Sequence, residues 1–489
     1  MTGDPIEGAG EGGRRPLFEL LDGDAVERIH QATLVVLEQT GVFVESPEAC
    51  DIFAAAGARV DAGTRVVRLP PDVVGAALRA APGHVVAHGR TPERDVALDE
   101  FRVTFTTFGE GIYVVDPFTG VRRESTKADV GTAARAVDAL DEIAICERAL
   151  GSRDVPQHVA TLHNADAILR NTTKHVLIGA QNGYAAERMV ALQRAILGSA
   201  EAVRRRPLLT FTTCPVSPLK LVAECCEVIM AGARHGVGLN MVSMAMSGGS
   251  SPVTLAGTLV THNAEVLAGL TLAQLTAPGT PVIYGSASTS IDLRFGAAAV
   301  GSPELGLINA AVPQLARRYG LPSFVAGGLG DGKLSDAQAG HEKTMTAMLA
   351  ALSGANIIFG LGMIESGLTF DFSQLLIDAE FARMIAYCLG GVRVDDEALA
   401  VADIGAVGPF GDFLSLDATY RHMRGQSRPR LLDRRVRDDW LESGGTDVYA
   451  RATNEARRLL TGHRPDPLPD DVLAEMTRLV ADAEAHGRR

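Results

Sequence analysis

Between residues 281 and 380 the spacing of apolar positions changes in the same order three times over. A short continuous apolar run (281–285, 322–327 and 355–360) gives way to a polar, glycine-rich stretch, and then to apolar residues three and four apart. Short continuous runs suit buried strands and the 3.6-residue spacing suits amphipathic helices, so strand, loop and helix are expected in repetition. Ser302, Pro303 and Glu304 supply an N-cap, a proline at the first helical position and an acid at the positive end of the helix dipole. Leu305, Ile308, Val312 and Leu315 form that helix's apolar stripe, and Gly320 ends it. Ser335 and Gln338 read as a capping box for a second helix, whose buried face is Met345, Met348, Leu349 and Leu352. A third helix starts at Ser373, carries Ile377, Phe381, Met384, Ile385 and Cys388 along one side, and stops at Gly390.

The same alternation extends back to about residue 126. Candidate strands fall at 143–146, 175–179, 208–213, 238–242, 282–285, 323–326 and 357–360, and an eighth is expected at 399–404. Eight such units predict an α/β fold, a (β/α)8 TIM barrel over 126–405. Ahead of it lie a disordered tail at 1–16 and an α+β extension at 17–125, in which the aromatic residues from Phe101 to Tyr113 read as packing. Residues 406–489 form a C-terminal segment, ending in an amphipathic helix, that wraps the barrel or makes an oligomer contact. A doubly wound open sheet would need a well-placed GxGxxG, and none is found. The glycines from Gly327 to Gly332 have the wrong spacing for that fingerprint and read as a flexible loop.

The 489-residue chain holds 46 basic and 59 acidic residues, a net charge of −13, which disfavours nucleic acid and anionic membrane as partners. No apolar h-region opens the sequence, so a cytoplasmic protein is expected. The six cysteines form no CxxC or Cys/His ligand spacing. Reduced thiols and no bound metal are expected, and Cys214 reads as a structural thiol ahead of a nucleophile.

In a barrel the chemistry sits on the loops after the strands. Those loops offer Ser286, Ser288, Asp292 and Arg294 after the fifth candidate strand. After the sixth come Asp331 and Lys333, followed by Gln338, His341 and Glu342 on one face of the next helix. Glu365 and Ser366 follow the seventh. His262 lies inside a helix, on the stripe of Leu255, Leu259 and Val266, and reads equally as a core histidine or a functional one; Glu265 is one turn on. No HExxH, Ser-His-Asp spacing or metal cluster emerges. The residues alone give a barrel enzyme with an acid-, amide- and arginine-lined mouth.

The run GSPELGLINAAVPQLARRYGLPSFVAGG followed by DAQAGHEKTMTAMLAALSGANIIFGLGMIESGLTFDFSQLLIDAE resembles the trimethylamine methyltransferase (MttB-like) family. LAGTLVTHNAEVLAGLTLAQ at 255–274 and NTTKH at 171–175 match as well, and the resemblance covers about residues 25–445. It implies a barrel that passes a methyl group from a methylated amine to the cobalt(I) of a corrinoid carried by a separate protein. Some relatives hold pyrrolysine in the loop after the sixth candidate strand. Residues 330–334 here are ordinary ones, so the chain is similar to the non-pyrrolysine branch, which includes glycine betaine demethylation. The implied catalytic candidates are Lys333, Gln338 and Glu365. A quaternary cation would be met by aromatic faces from among Phe108, Tyr113, Tyr284, Phe295, Phe359 and Phe370, and a betaine carboxylate by Arg294 and His341. His262 and Glu265 complete the set of expected contacts, and a homo-oligomer is expected. A non-catalytic betaine or methylamine sensor on the same barrel is the alternative.

Overall fold

The computed structural model describes residues 18–99 and 102–486; the tail expected at 1–16 and Phe101 lie outside them. Eight parallel strands carry the fold: β1 (Thr104–Thr107), β2 (Cys146–Glu147), β3 (Val176–Gly179), β4 (Leu209–Thr213), β5 (Gly238–Ser243), β6 (Val282–Ser286), β7 (Ser323–Ala326) and β8 (Ile357–Leu361). Their order around the sheet is β1-β8-β7-β6-β5-β4-β3-β2. Between β1 and β2 the ring closes through side chains. Thr106 Oγ1 and Thr107 Oγ1 donate to the carbonyls of Ile145 and Glu147 at 2.8 and 2.7 Å, and Gly111 bridges Leu150 beyond them. Each strand leads to a helix of the outer layer: α1 (Lys127–Asp138), α2 (Ala160–Asn171), α3 (Gly183–Leu197), α4 (Ala223–His235), α5 (Leu255–Thr276), α6 (Pro303–Arg318), α7 (Ala337–Leu352) and α8 (Phe372–Leu389). The (β/α)8 TIM barrel is therefore the fold.

Two strands differ from the sequence reading: β2 is confined to Cys146–Glu147, sharing only Cys146 with the run 143–146, and the eighth lies elsewhere altogether. Residues 399–404 fall in two short helices, Asp396–Leu399 and Val401–Val407, which begin at an Asp395 cap and leave Leu399, Val401 and Ile404 exposed. An apolar run with no buried face to fill gains nothing from the sheet. The eighth strand is instead β1, from within the stretch read as an extension, pairing Phe105 with Ile358 and Thr106 with Phe359.

The helix punctuation holds at α6, where Ser302 Oγ accepts the Leu305 amide at 3.2 Å. It shifts by one residue at α7. Asp336 is the cap there, accepting the amides of Gln338 and Ala339, while Ser335 bonds Gln374 across to α8.

A hairpin of Val85–Ala87 and Val96–Leu98 covers the N-terminal end of the barrel. His88 O meets His175 Nδ1 at 3.0 Å, and Asp95 pairs with Arg206 at 2.8 Å. The C-terminal helix Val448–Gly462 packs on α8, where Tyr449 donates to Asp371 at 2.7 Å. The last helix, Asp470–His486, lies on α2 and α3. None of the described helices is long and apolar enough to cross a membrane.

Candidate functional site

Strand alternation fixes which side chains enter the lumen. Tyr284 on β6 bonds Asn263 of α5 at 2.6 Å, so it faces the helices, as does Met241 beside it, against which Gly269 of α5 packs. Asn240, Thr212 and Thr210 then face inward, as do Leu177 and Glu147, which pair with them in register. Phe324 and Phe359 also face inward and stack at 4.5 Å between centroids. Phe108, at the upper end of β1, stacks on the other side of Phe359 at 5.8 Å. The turn Glu365–Gly367 rests on Phe108, since a Cβ at Gly367 would stand 2.9 Å from its ring.

Next to the Phe108 end of this stack the inner face carries an acid, since a Cβ at Gly109 would stand 3.3 Å from Glu147 Oε1. Glu147 is buried and its Oε2 has no hydrogen-bond partner. Burial holds its carboxyl well above the usual range; Arg148 opposes this and Glu110 adds to it. Arg148 is engaged elsewhere, with the Gly109 carbonyl at 2.8 Å and Glu110 at 2.6 Å. Half-buried Cys214, just past β4, has its thiol pushed up chiefly by burial, with Cys225 and Glu110 adding to it. It is a protonated thiol at neutral pH, in keeping with a structural role. Asn240 Oδ1 on β5 is a second buried acceptor without a donor.

The rim is braced. Strands Met363–Ile364 and Thr369–Asp371 after β8 join Tyr113–Val115 and Arg122–Glu124 after β1 in a small sheet. Met246–Ser247, Thr289–Asp292 and Ala297–Ala299 form another over β5 and β6. Asp331 accepts the amides of Val300 and Gly301 and the hydroxyl of Ser366, binding together the loops after β6, β7 and β8. Glu342 accepts the amides of Asp331 and Gly332. A buried pair, Lys343 with Asp378 at 2.8 Å, holds the Gly328 carbonyl and the Gly362 amide. The glycine run read as flexible is thus pinned and largely buried. Its glycines permit close approach, for a Cβ at Gly327 would meet Ile358 at 2.8 Å.

The residues singled out from the sequence divide into three groups. Phe108, Phe359, Tyr113, Glu365 and Lys333 gather on the β8–β1 side of the mouth. Arg122 lies 3.7 Å above the Tyr113 ring and bonds Glu365 at 2.8 Å. The Glu365 amide bonds Gly332 O at 2.8 Å, next to Lys333, whose exposed ammonium reaches Asp331 O. Glu365 and Ser366 adopt φ of 54° and 55°, a conformation uncommon outside glycine and stabilised here by those contacts.

Gln338, His341 and Arg294 are exposed. Gln338 bonds Glu342 at 2.7 Å, and Arg294 at a hairpin tip pairs with Asp292 beside Phe295, itself 78% exposed. Tyr284, His262 and Glu265 lie outside the ring, between sheet and α5, and Phe370 packs against Phe372. His262 bonds Gly285 O at 3.0 Å, and burial lowers it to about 4. Glu265 accepts Ser217, Ser243 and the Leu219 amide, and burial raises it. These three are core groups, because the helix-facing side of a barrel strand does not open on the lumen. Glu147, Arg148, Glu110, Asn240 and Phe324 were missed. Glu147 had a signal, as the first polar residue after the run 143–146.

Residues 11–487 match the family described as trimethylamine methyltransferase (MTTB). The chain belongs to that family. It is 48% identical over 456 residues (93% of this chain, 92% of the relative) to a trimethylamine methyltransferase MttB of Desulfitobacterium hafniense. It is 43% identical to that of Methanosarcina thermophila, covering 94% and 96% of the two chains. A glycine betaine methyltransferase of Desulfitobacterium hafniense is 33% identical over 469 residues, 95% and 97% of the two chains. Among solved structures, the monomethylamine methyltransferase (MtmB) of Methanosarcina barkeri aligns over 89% of this chain and 92% of its own, at 13% identity and a TM-score of 0.47. Family membership places the chain among methyltransferases of methylated amines and betaine.

Proposed function

We propose that the protein moves a methyl group from a quaternary or fully methylated amine to the cobalt(I) of a corrinoid presented at the barrel mouth by a separate protein. The observation that carries this is the inner face of the barrel: stacked phenylalanine rings with a buried carboxyl, Glu147, beside their Phe108 end. Aromatic faces attract a desolvated cation by about 0.5–2 kcal/mol each, and a carboxylate adds coulombic attraction. The corrinoid supplies the nucleophile. The remaining work falls to this chain, and it is positioning and water exclusion. The ring faces that the stack leaves open, on Phe108 and Phe324, meet the ammonium with Phe359 as backing, and the Asp331 and Glu342 bonds keep the surrounding loops in place. A quaternary nitrogen leaves as a neutral amine, so its departure asks for no general acid.

Arg122, Arg148 and Arg294 are all paired. Each of these guanidiniums would have to give up its partner to take a donor's carboxylate, which favours a donor without one over glycine betaine. The test mixes the purified chain with a cobalt(I) corrinoid protein and follows methylation spectroscopically across tetramethylammonium, trimethylamine, choline and glycine betaine. Methylation by at least one amine is expected, with glycine betaine the poorest. Binding without methylation by any of them would identify a sensor instead.

A further inference from the structure

We propose that Glu147 is the counter-charge for the donor's ammonium group, and that its carboxyl releases a proton to solvent when the cation enters the lumen. This rests on the methyl-donor reading above and adds to it a residue and a countable proton.

Glu147 stands at the end of β2, faces inward in register with Leu177 and Thr210, and is buried. Its Oε2 is without a donor, and Oε1 is hemmed in by Gly109, where a Cβ would stand 3.3 Å away. A carboxylate with one oxygen cut off from both water and any donor is poorly stabilised, so the proton stays on. The charged and titratable groups around it do not change this. Arg148 on the adjoining residue spends its guanidinium on Gly109 O and Glu110. Glu110 repels a second negative charge, and Cys214 on the β4 side is itself kept protonated. Asn240, further round the inner face, adds an unpartnered acceptor and no positive charge.

Among the described residues the inner face offers Glu147 no positive charge that is not already engaged. When a quaternary ammonium ion arrives, the carboxyl O–H breaks, the proton passes to water at the mouth, and carboxylate and ammonium remain as an ion pair. No bond to nitrogen is made or broken at this stage. Charge balance inside the barrel is what drives the ionisation, because a buried cation is as costly alone as a buried carboxylate.

The experiment uses the full chain and tetramethylammonium, which does not itself titrate. Calorimetry between pH 6 and 9, in two buffers of different ionisation enthalpy, counts protons. Wild type is expected to release about one proton per cation at the acid end, with affinity rising by up to about tenfold per pH unit. In Glu147→Gln the release disappears and the pH dependence flattens; in Glu147→Asp the release is retained. Binding without proton release, release that survives in Glu147→Gln, or no binding at all overturns the assignment. Methyl transfer to a corrinoid protein is measured on the same samples. Proton release with tetramethylammonium but no transfer from any of the four amines upholds Glu147 and overturns the methyl-donor reading, whereas transfer without proton release overturns Glu147 alone.

Discussion

At the scale of single residues, the heaviest electrostatic commitment is the pair of Lys343 and Asp378, each about 1% exposed. Lys343 also donates to Gly328 O at 2.6 Å, and Asp378 accepts the Gly362 amide and Gln374 Nε2, both at 2.7 Å. Burial raises the Asp378 carboxyl and the lysine lowers it, so taking the lysine away strands a desolvated acid. Lys343→Met is expected to cost about 3–5 kcal/mol, read from denaturant midpoints, and a further Asp378→Leu change to recover part of it. Two buried histidines make a separate statement about pH. His175 and His262 are both lowered to about 4 by burial, so the folded chain binds these protons less tightly than the unfolded one. The stability they contribute is complete above the unfolded value of about 6.5 and is lost as pH falls towards 4, on the order of 3 kcal/mol for each. Thermal midpoints should therefore drop between pH 7 and 4.5, and His262→Gln should make that drop shallower.

At the scale of elements, the mouth depends on loops that hold one another. Asp331 makes three of these bonds, to Val300 and Gly301 after β6 and to Ser366 after β8, from its own place after β7. Replacing it with alanine leaves two amides and a hydroxyl to find water, at about 1 kcal/mol or more each. Because the barrel strands make their bonds independently of it, the loss should stay local. Asp331→Ala is expected to speed hydrogen exchange at Val300 and Gly301 at least tenfold and to slow methyl transfer, with a global unfolding midpoint that hardly moves. A large fall in that midpoint would show that the brace supports the barrel and not merely its rim. The sequence marked this loop for its glycines but not for Asp331's role, since an aspartate that accepts amides from a neighbouring loop has no local spacing to betray it.

At the scale of the whole molecule, the barrel was legible because seven strands are apolar runs bounded by glycine and capped helices. The eighth was not, because Thr104–Thr107 is rich in hydroxyls that go on to close the seam with β2. The lumen was harder still. Strands buried on both faces carry apolar residues at every position, so nothing in the sequence of β6 says that Ile283 faces inward and Tyr284 outward. That parity misplaced Tyr284 and, with it, His262 and Glu265, while Phe359 fell on the inner face. The C-terminal segment tests how far the barrel stands alone. The helix Asp470–His486 buries Met476, Leu479, Val480 and Ala483, pairs Glu484 with His163 at 2.9 Å, and sets His486 on the Tyr184 ring. Three large apolar side chains at about 1.5–3 kcal/mol each outweigh these polar contacts. Ending the chain at Arg464 should then lower the thermal midpoint and uncover an apolar strip on α2 and α3 that self-associates, visible as larger species in sedimentation. By contrast Phe410, fully exposed, and Leu414 in the 408–423 stretch lack buried neighbours to lose. Changing both to serine should shift stability by less than about 0.5 kcal/mol, and a larger destabilisation would mean that this stretch is covered in the protein as it exists in solution.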